Sequence, residues 1–270
     1  MRSPNSSDPV KLLAYAKINL SLRVVGKRAD GYHDIDSVMQ SISLHDEIEI
    51  YPSEKTVVEC SDAEIKDNIA AEAAAAILAE AKLGGGVRIV IKKNIPVSAG
   101  LAGGSADAAA VLIGINRLFD MNIHSHKLAE IGSRIGADVP FCLVGGTARC
   151  TGKGERVERV NPQSTSSFII VVPKIKVPTK DVYDEFDLTG AGNTGNDLEK
   201  AATSRFPRIA AVKETLNRVT THGWQMSGSG PALFMELSDI SEIEKYSAGL
   251  DGLKLNYWLV KRVDGGVAFQ

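Results

Sequence analysis

A strand, a glycine-rich turn and a helix are written consecutively into residues 87–119. Val87, Ile89 and Ile91 alternate with Arg88 and Lys92, the period of a half-buried strand over 87–93. Val111, Leu112, Ile115, Leu118 and Phe119 recur at three- and four-residue spacing, which predicts a helix over 105–119. Between them runs Pro96-Val-Ser-Ala-Gly-Leu-Ala-Gly-Gly-Ser-Ala-Asp107, where Gly100, Gly103 and Gly104 allow close backbone approaches. Ser105 and Asp107 fall where the helix begins, to cap it or to face whatever docks there. Such a loop offers unpaired N–H groups and the positive end of a helix dipole, which suits a phosphate. It contains neither Gly-x-x-x-x-Gly-Lys-Ser/Thr nor Gly-x-Gly-x-x-Gly. Taken alone, it fits equally well a tight packing joint between strand and helix.

With 270 residues the chain suits two modest domains or one large one. Its formal charge of −2 gives no electrostatic case for nucleic acid or an anionic membrane. No apolar run approaches the roughly 20 residues that span a bilayer, and Met1–Pro9 reads as a short polar tail without an address. Cys60, Cys142 and Cys150 are odd in number and lack metal-ligand spacing, so inert thiols in a reducing cytoplasm are expected. Alanine-rich residues 69–81 predict a helix.

Residues 12–25 predict a strand with Ile18, Leu20, Leu22 and Val24 on one face. Lys17 and Asn19 share the other, lining a cleft or facing solvent on an edge. The turn-rich run 26–34 carries Tyr32 and His33, a pair able to stack on and hydrogen-bond a flat heterocycle, or to fold back on the core. Strands are predicted at 47–51 and 56–60. A helix over 125–135 has Ser125 as N-cap, Leu128, Ile131 and Ile135 as its stripe, and Gly136 as its end. Asp138 stands at that helix exit, exposed or placed for chemistry. Residues 145–155 read as turns around a short strand, and a composition shift at 161–167 predicts a boundary between units 10–162 and 163–270. The second unit reads as strand 168–172, loop 174–196, helices 197–205 and 208–221, and strands 224–226 and 232–237 around Ser227-Gly-Ser-Gly-Pro231. Helix 240–249 and strand 255–263 follow. That order is β-α-β-β-α-β with one extra helix, the split βαβ arrangement.

Three stretches, around Lys17–Asn19, residues 96–107 and Ser227–Pro231, resemble the three motifs of the GHMP kinases. Ala16-Lys-Ile-Asn-Leu-Ser-Leu, Gly31-Tyr-His, Gly100-Leu-Ala-Gly-Gly-Ser, Gly136-Ala-Asp-Val-Pro-Phe, Gly195-Asn-Asp-Leu-Glu and Met226-Ser-Gly-Ser-Gly-Pro occur in the order of one branch. That branch acts on a cytidine-diphosphate-linked methylerythritol in the non-mevalonate route to isoprenoids. The resemblance implies an α+β fold, with a ribosomal-S5-like domain first, a ferredoxin-like domain second and the active site between them. It implies ATP-dependent phosphorylation of the 2-hydroxyl of that small molecule. Asp138 would take the hydroxyl proton beside Lys17. A lysine within about 4–6 Å favours an ionised carboxylate, which weakens Asp138 as a base and makes orientation its larger task. Pro96, Val97, Ser98, Ala99, Gly100, Leu101, Ala102, Gly103, Gly104, Ser105 and Ala106 would form the ATP loop, with Ser105 or Asp107 near Mg²⁺. Asn19 and His33 would hydrogen-bond the substrate, and Tyr32 or Tyr183 would stack on the cytosine. Gly228, Ser229 and Gly230 would approach substrate or phosphate closely.

Three positions depart from the pattern. Ala102 stands in place of a usual glycine, which requires negative φ there; Ala106 replaces a serine; and Met39 replaces a phenylalanine that would sandwich the cytosine. The rival readings are another GHMP kinase and a non-catalytic nucleotide-binding paralogue. The charge balance disfavours an RNA-binding module.

Overall fold

In the computed structural model, residues 8–62, 68–161, 167–220, 223–238 and 240–270 are described. The first half contains β1 (Val10–Lys27), β2 (His33–Ser53), β3 (Val57–Cys60), α1 (Ile69–Glu80), β4 (Gly86–Lys92) and α2 (Gly103–Leu118). It continues through α3 (Ser125–Ile135), α4 (Val139–Val144), β5 (Thr147–Gly152) and β6 (Arg156–Arg159). The second half contains β7 (Ser167–Val171), α5 (Thr179–Thr189), α6 (Leu198–Arg205), α7 (Pro207–Val219), β8 (Gln225–Met226) and β9 (Leu233–Leu237). A 3₁₀ turn (Ile240–Glu242), α8 (Ile243–Gly252), β10 (Tyr257–Lys261) and β11 (Val267–Phe269) complete it.

β2 is a single strand of 21 residues where the alternation predicted only its last part. Polar residues hide the rest, but they are buried with partners: Asn19 donates to Ser37 Oγ at 2.8 Å and Thr147 Oγ1 to Gln40 Oε1 at 2.6 Å. β1 pairs antiparallel along β2, whose first part also pairs with β5 and whose last part pairs with β4. α1 and α2 cover this sheet. Their alanines, Ala70, Ala73 and Ala74 against Ala106, Ala108, Ala109 and Ala110, are all buried, so small side chains let the helices approach each other.

The second sheet has the order β10-β7-β9-β8, all antiparallel, which realises the split βαβ arrangement. Its central strands, β7 and β9, are buried on both faces along most of their length. Phe168, Ile170, Phe234 and Val260 join the core of the first sheet, while Ile169, Val171, Leu233 and Met235 pack on the helices around Leu198, Ile209 and Leu250.

Several expectations need correcting. The predicted loop 174–196 contains α5, whose short apolar stripe of Val182, Tyr183 and Phe186 is obscured by surrounding charge and packs toward α6. β11 pairs with β1, Leu12 opposite Phe269 and Ala14 opposite Val267, so the unit 163–270 returns its last strand to the first sheet. Three residues carry too little periodicity to announce it. The apolar row of β1 is divided as well: Ile18 lies in the first core and Leu22 in the second. His124, not Ser125, holds the N-cap position of α3. Asp138 is both the exit of α3 and the N-cap residue of α4, a short helix whose Pro140 suits a first turn. Residues 1–7 of the expected tail, 162–166 of the expected boundary and residue 221 of the expected helix lie outside the described residues. Among the described residues no helix is long and apolar enough to cross a membrane.

Candidate active site

Irregularities in the β1–β2 pairing fall between Tyr15 and Lys17 and again between Asn19 and Ser21, so Lys17–Asn19 form a short paired stretch, opposite Ser41–Met39, with a break on either side. Lys17 and Asn19 are buried, at 4% and 2% exposure, so neither belongs to a solvated edge. Lys17 Nζ donates to Asn19 Oδ1 at 2.8 Å and to the Gly100 carbonyl at 3.0 Å. An ammonium has three donors. The third is left for Asp138, whose Oδ2 is 3.6 Å away, an ionic contact longer than a hydrogen bond.

The glycine-rich loop is held from below and from the side. Ser227 Oγ donates to the Gly100 carbonyl at 3.1 Å, and the Ala232 N–H donates to the Ala99 carbonyl at 3.0 Å. Gly100 has φ +78° and a Cβ there would come within 2.6 Å of the Ser227 carbonyl, so no other residue fits without movement. Asn196 Nδ2 donates to the Met226 and Gly228 carbonyls, each at 2.8 Å, fixing residues 226–228 against Lys17 and Asn19. The Gly230 N–H donates to the Ser227 carbonyl, so the third motif is both a tight turn and a close approach. Ser229 Oγ lies 3.0 Å from Thr179 Oγ1.

Ala102 does not have the negative φ its side chain prefers: φ is +57° and ψ +32°, at the N-cap position of α2. The Leu101 carbonyl accepts from the Lys17 N–H and the Ala102 carbonyl from the Ala106 N–H, which holds the backbone there. The conformation costs about 1–2 kcal/mol for an L-residue. Ala102→Gly is therefore expected to gain about 0.5–1 kcal/mol after the entropic penalty of glycine, raising Tm by about 1–4 °C in a thermal melt. Unlike Asn68, which accepts from the Ala70 N–H to cap α1, Ala102 has no side chain with which to cap α2. The first residues of that helix, Gly103, Gly104 and Ser105, line a cavity with no side-chain cap on their N–H groups, an arrangement that suits an anion. Leu101 and Ala106 are buried in the core, the Ala106 N–H bonds the Ala102 carbonyl, and neither lines that cavity.

These elements wall a cavity of about 940 Å³ that runs from the loop past Lys17 and Asp138 to Tyr32, His33 and Tyr183. At that far end His33 Nε2 bonds Asp187 Oδ1 at 2.8 Å and its ring stacks on Tyr183, centroids 4.8 Å apart and planes 22° from parallel. Burial, with the charge of Asp138 adding to it, pushes the Tyr183 phenol up to about 12. Tyr183 therefore covers His33, while Tyr32 is 58% exposed with the Lys153 ammonium 4.7 Å from its ring centre. Met39 borders the cavity but is buried in the first core, opposite Asn19 in register, and is no stacking platform.

Asp107, expected near the ligand, is 1% exposed and belongs to a buried cluster. Lys93 Nζ donates to Asp46 Oδ2 at 2.5 Å and to Asp107 Oδ2 at 2.7 Å. Asp46 Oδ1 also accepts from the Asn94 and Ile95 N–H groups, at 2.6 and 2.8 Å, but Asp107 Oδ1 is buried without a partner. Burial pushes the Asp107 carboxyl up to about 8, with the Lys93 ammonium opposing and the Asp46 charge reinforcing it. Burial works to lower Lys93, and the two carboxylates outweigh it and hold its ammonium above its usual range. Among the described residues no group of three or more His, Cys, Asp and Glu could hold a metal ion.

The profile described as "GHMP kinases N terminal domain" matches residues 68–146, and that described as "GHMP kinases C terminal" matches residues 185–248. Two curated 4-diphosphocytidyl-2-C-methyl-D-erythritol kinases are similar over most of their length. That of Caldicellulosiruptor bescii is 44% identical over 83% of this chain and 88% of its own. That of Acetivibrio thermocellus is 40% identical over 93% and 97%. The chain belongs to the GHMP kinases. A crystal structure of 4-(cytidine 5'-diphospho)-2C-methyl-D-erythritol kinase superposes on this GHMP kinase with a TM-score of 0.78 at 29% identity, covering 94% of this chain and all of that one. A homoserine kinase from Cytophaga hutchinsonii gives 0.74 at 18% identity over the whole of both chains, a likeness of fold.

In this GHMP kinase the structure brings Lys17, Asn19, Asp138, Gly228 and the loop together at one end of the cavity, with Tyr32, His33 and Tyr183 at the other. Sequence reasoning gave no role to Asp46, Lys93, Lys153, Asp187, Asn196 or Ser227. Asn196 and Ser227 lay within stretches already singled out. Lys93 immediately precedes the loop, and Asp187 sat in a segment taken for irregular chain.

Proposed function

We propose that the protein transfers the γ-phosphoryl group of ATP to the 2-hydroxyl of 4-diphosphocytidyl-2-C-methyl-D-erythritol. One observation carries the reading: a single cavity joins an uncapped helix N-terminus, a lysine–aspartate pair and a buried histidine fixed by an acid. The N–H groups of Gly103 to Ser105 hold the donor phosphates. Asp138 orients the acceptor hydroxyl and takes its proton as the oxygen bonds to the γ-phosphorus. The bond from that phosphorus to the bridging oxygen breaks, and ADP leaves with the electron pair. Lys17, steadied by Asn19 and Gly100, offsets charge where the two substrates meet.

At the other end Asp187 can only accept, so His33 donates Nε2–H to it, and the tautomer that does so has Nδ1 as an acceptor. An acceptor matches the exocyclic amine of cytosine and rejects the carbonyl that uracil has there. Tyr32 has the exposed ring on which the base stacks.

Mg²⁺ fits as an ion carried in on the nucleotide. No acidic cage awaits it among the described residues, and Asp107 is engaged by Lys93. When bound, the ion would offset phosphate charge, and the Ser105 hydroxyl at the start of α2 would be the protein group to hold it. A reducing cytoplasmic setting agrees with the three free thiols, of which burial raises Cys142 well above its usual range and Cys150 to about 12.

Phosphate transfer from radiolabelled ATP tests the reading. Transfer is expected to the CDP-linked alcohol and not to mevalonate, homoserine or free methylerythritol phosphate. ATP binding with no transfer to any of these alcohols would instead support a non-catalytic paralogue.

A further inference from the structure

The stretch Gly195-Asn-Asp-Leu-Glu199 has no part in the phosphoryl transfer above, yet it is fastened to the strand that carries Lys17 and Asn19. The Leu22 N–H donates to the Gly195 carbonyl and the Asp197 N–H to the Leu22 carbonyl, both at 2.9 Å. Asp197 Oδ2 accepts from the Val24 N–H, also at 2.9 Å, and Leu22 and Asn196 form a parallel bridge. Asn196 is thereby set in register with β1. It is 3% exposed and its amide is fully engaged. Oδ1 accepts from the Leu198 N–H at 3.0 Å, while the two hydrogens of Nδ2 go to the Met226 and Gly228 carbonyls at 2.8 Å each.

The bond to Gly228 is the informative one. Gly228 and Ser229 are the centre of a four-residue turn, closed by the Gly230 N–H on the Ser227 carbonyl at 2.9 Å. Gly228 has φ +57° and Ser229 a negative φ, the pattern of a type II′ turn. In a planar trans peptide the C=O and N–H point in opposite directions. Asn196 does not line the cavity, whereas Gly228 and Ser229 do. With the Gly228 carbonyl held by Asn196, the Ser229 N–H is turned the other way, and it has no hydrogen-bond partner among the described residues. This peptide sits beside the catalytic lysine: a Cβ on Gly228 would stand 3.5 Å from Lys17 Nζ and 3.2 Å from Asn19 Oδ1. Half a rotation of the one peptide gives a type I′ turn and leaves the flanking strands in place. It would bring a carbonyl oxygen to the cavity side, where it competes with Asp138 for the third donor of Lys17 and repels phosphoryl oxygens.

We propose that Asn196 is a positioning residue for phosphoryl transfer, a role that rests on the kinase reading above. It holds the Gly228–Ser229 peptide with its carbonyl away from Lys17, so the ammonium stays available to Asp138 and to the charge that develops on the transferring group. The task needs two donors on one small side chain. Serine offers one and alanine none.

Steady-state kinetics with ATP and the CDP-linked alcohol on Asn196→Ala, Asn196→Ser and Asp197→Ala, with Tm measured for each, tests the role. Asn196→Ala is expected to lower kcat about 10²-fold, the scale of a small misplacement at the reacting atoms, with both KM values within about threefold of wild type. Asn196→Ser keeps one donor and should lose about tenfold in kcat; it decides the matter if the alanine variant does not fold. Asp197→Ala removes the acceptor of the Val24 N–H from the same splice without touching the turn, so its Tm should fall while kcat stays within about threefold. A kcat near wild type in a folded Asn196 variant, a loss confined to KM, or an equal loss of kcat in Asp197→Ala overturns the role of Asn196 and leaves the substrate reading intact. A wild type that transfers no phosphate to the CDP-linked alcohol overturns both.

Discussion

Asp138→Asn is expected to lower turnover by about 10²–10⁴-fold, the range for losing a positioned base, while ATP still binds as it does to wild type. The amide keeps the shape of the carboxylate but cannot accept the hydroxyl proton, so the loss should fall on kcat rather than on either KM. Lys17→Ala should lose turnover on a similar scale for a different reason. It takes the ammonium donor from Asn19 Oδ1 and from the Gly100 carbonyl, which keeps only Ser227 Oγ, and removes the positive charge 3.6 Å from Asp138. Because the two side chains act as a unit, the double variant should be little worse than the poorer single one. Single-turnover kinetics and calorimetry with a non-hydrolysable ATP analogue separate chemistry from binding. Near-normal turnover in Asp138→Asn would refute the assignment outright.

The second large effect concerns stability. Lys93 is the sole cation of a cluster with Asp46 and Asp107, its side chain 6% exposed and theirs 0% and 2%. Lys93→Met leaves two carboxylates buried together, and breaking a buried pair in this way costs about 3–5 kcal/mol. That is a large part of the roughly 5–15 kcal/mol that holds a domain folded. Denaturant melts should show the loss in full at pH 8 and a smaller loss at pH 5, where a carboxyl can take up a proton. A loss below about 1 kcal/mol at pH 8 would show that the cluster is relieved in some other way.

Asp107→Asn probes the same cluster without removing its cation. The Asp107 carboxyl titrates at about 8 in the folded chain against an ordinary 3.8. Between those values the folded state holds a proton that the unfolded state has released, so wild-type stability should fall as pH rises through that window. The asparagine variant cannot titrate there, and its stability should be flatter from pH 4 to 8. The slope is the readout, because the amide also places an N–H where Asp107 Oδ1 already lacks a partner.

Local pattern made much of the architecture legible. The period-two run at 87–93 and the stripe from Val111 to Phe119 bracket the loop as β4 and α2, and the alanine-rich run became α1. The β-α-β-β-α-β core of the second half emerged from the same rules. Those rules failed where polar residues are buried with partners, as in β2, where an amphipathic stripe is short and surrounded by charge, as in α5, or where an element is only three residues long, as in β11. Ala102 failed for another reason. A backbone angle is imposed by the hydrogen bonds of Leu101 and Ala102, and no residue type reports it.

What the sequence determined by itself was the set of parts: a glycine-rich loop at the start of a helix, Lys17 beside Asn19, and Asp138 at a helix exit. Those are properties of short segments, set by residue spacing and conformational preference. Only the tertiary structure decided which parts meet. Lys17 touches a carbonyl 83 positions away and Ser227 reaches the same Gly100 carbonyl from 127 positions away. Lys153 overlooks Tyr32 because β5 pairs with β2. Contacts between distant segments depend on how sheets pair and cores pack, and no local pattern encodes them. The loop's glycines were ambiguous between packing and phosphate for that reason, and an uncapped α2 beside Lys17 and Asp138 is what supports the proposed cradle.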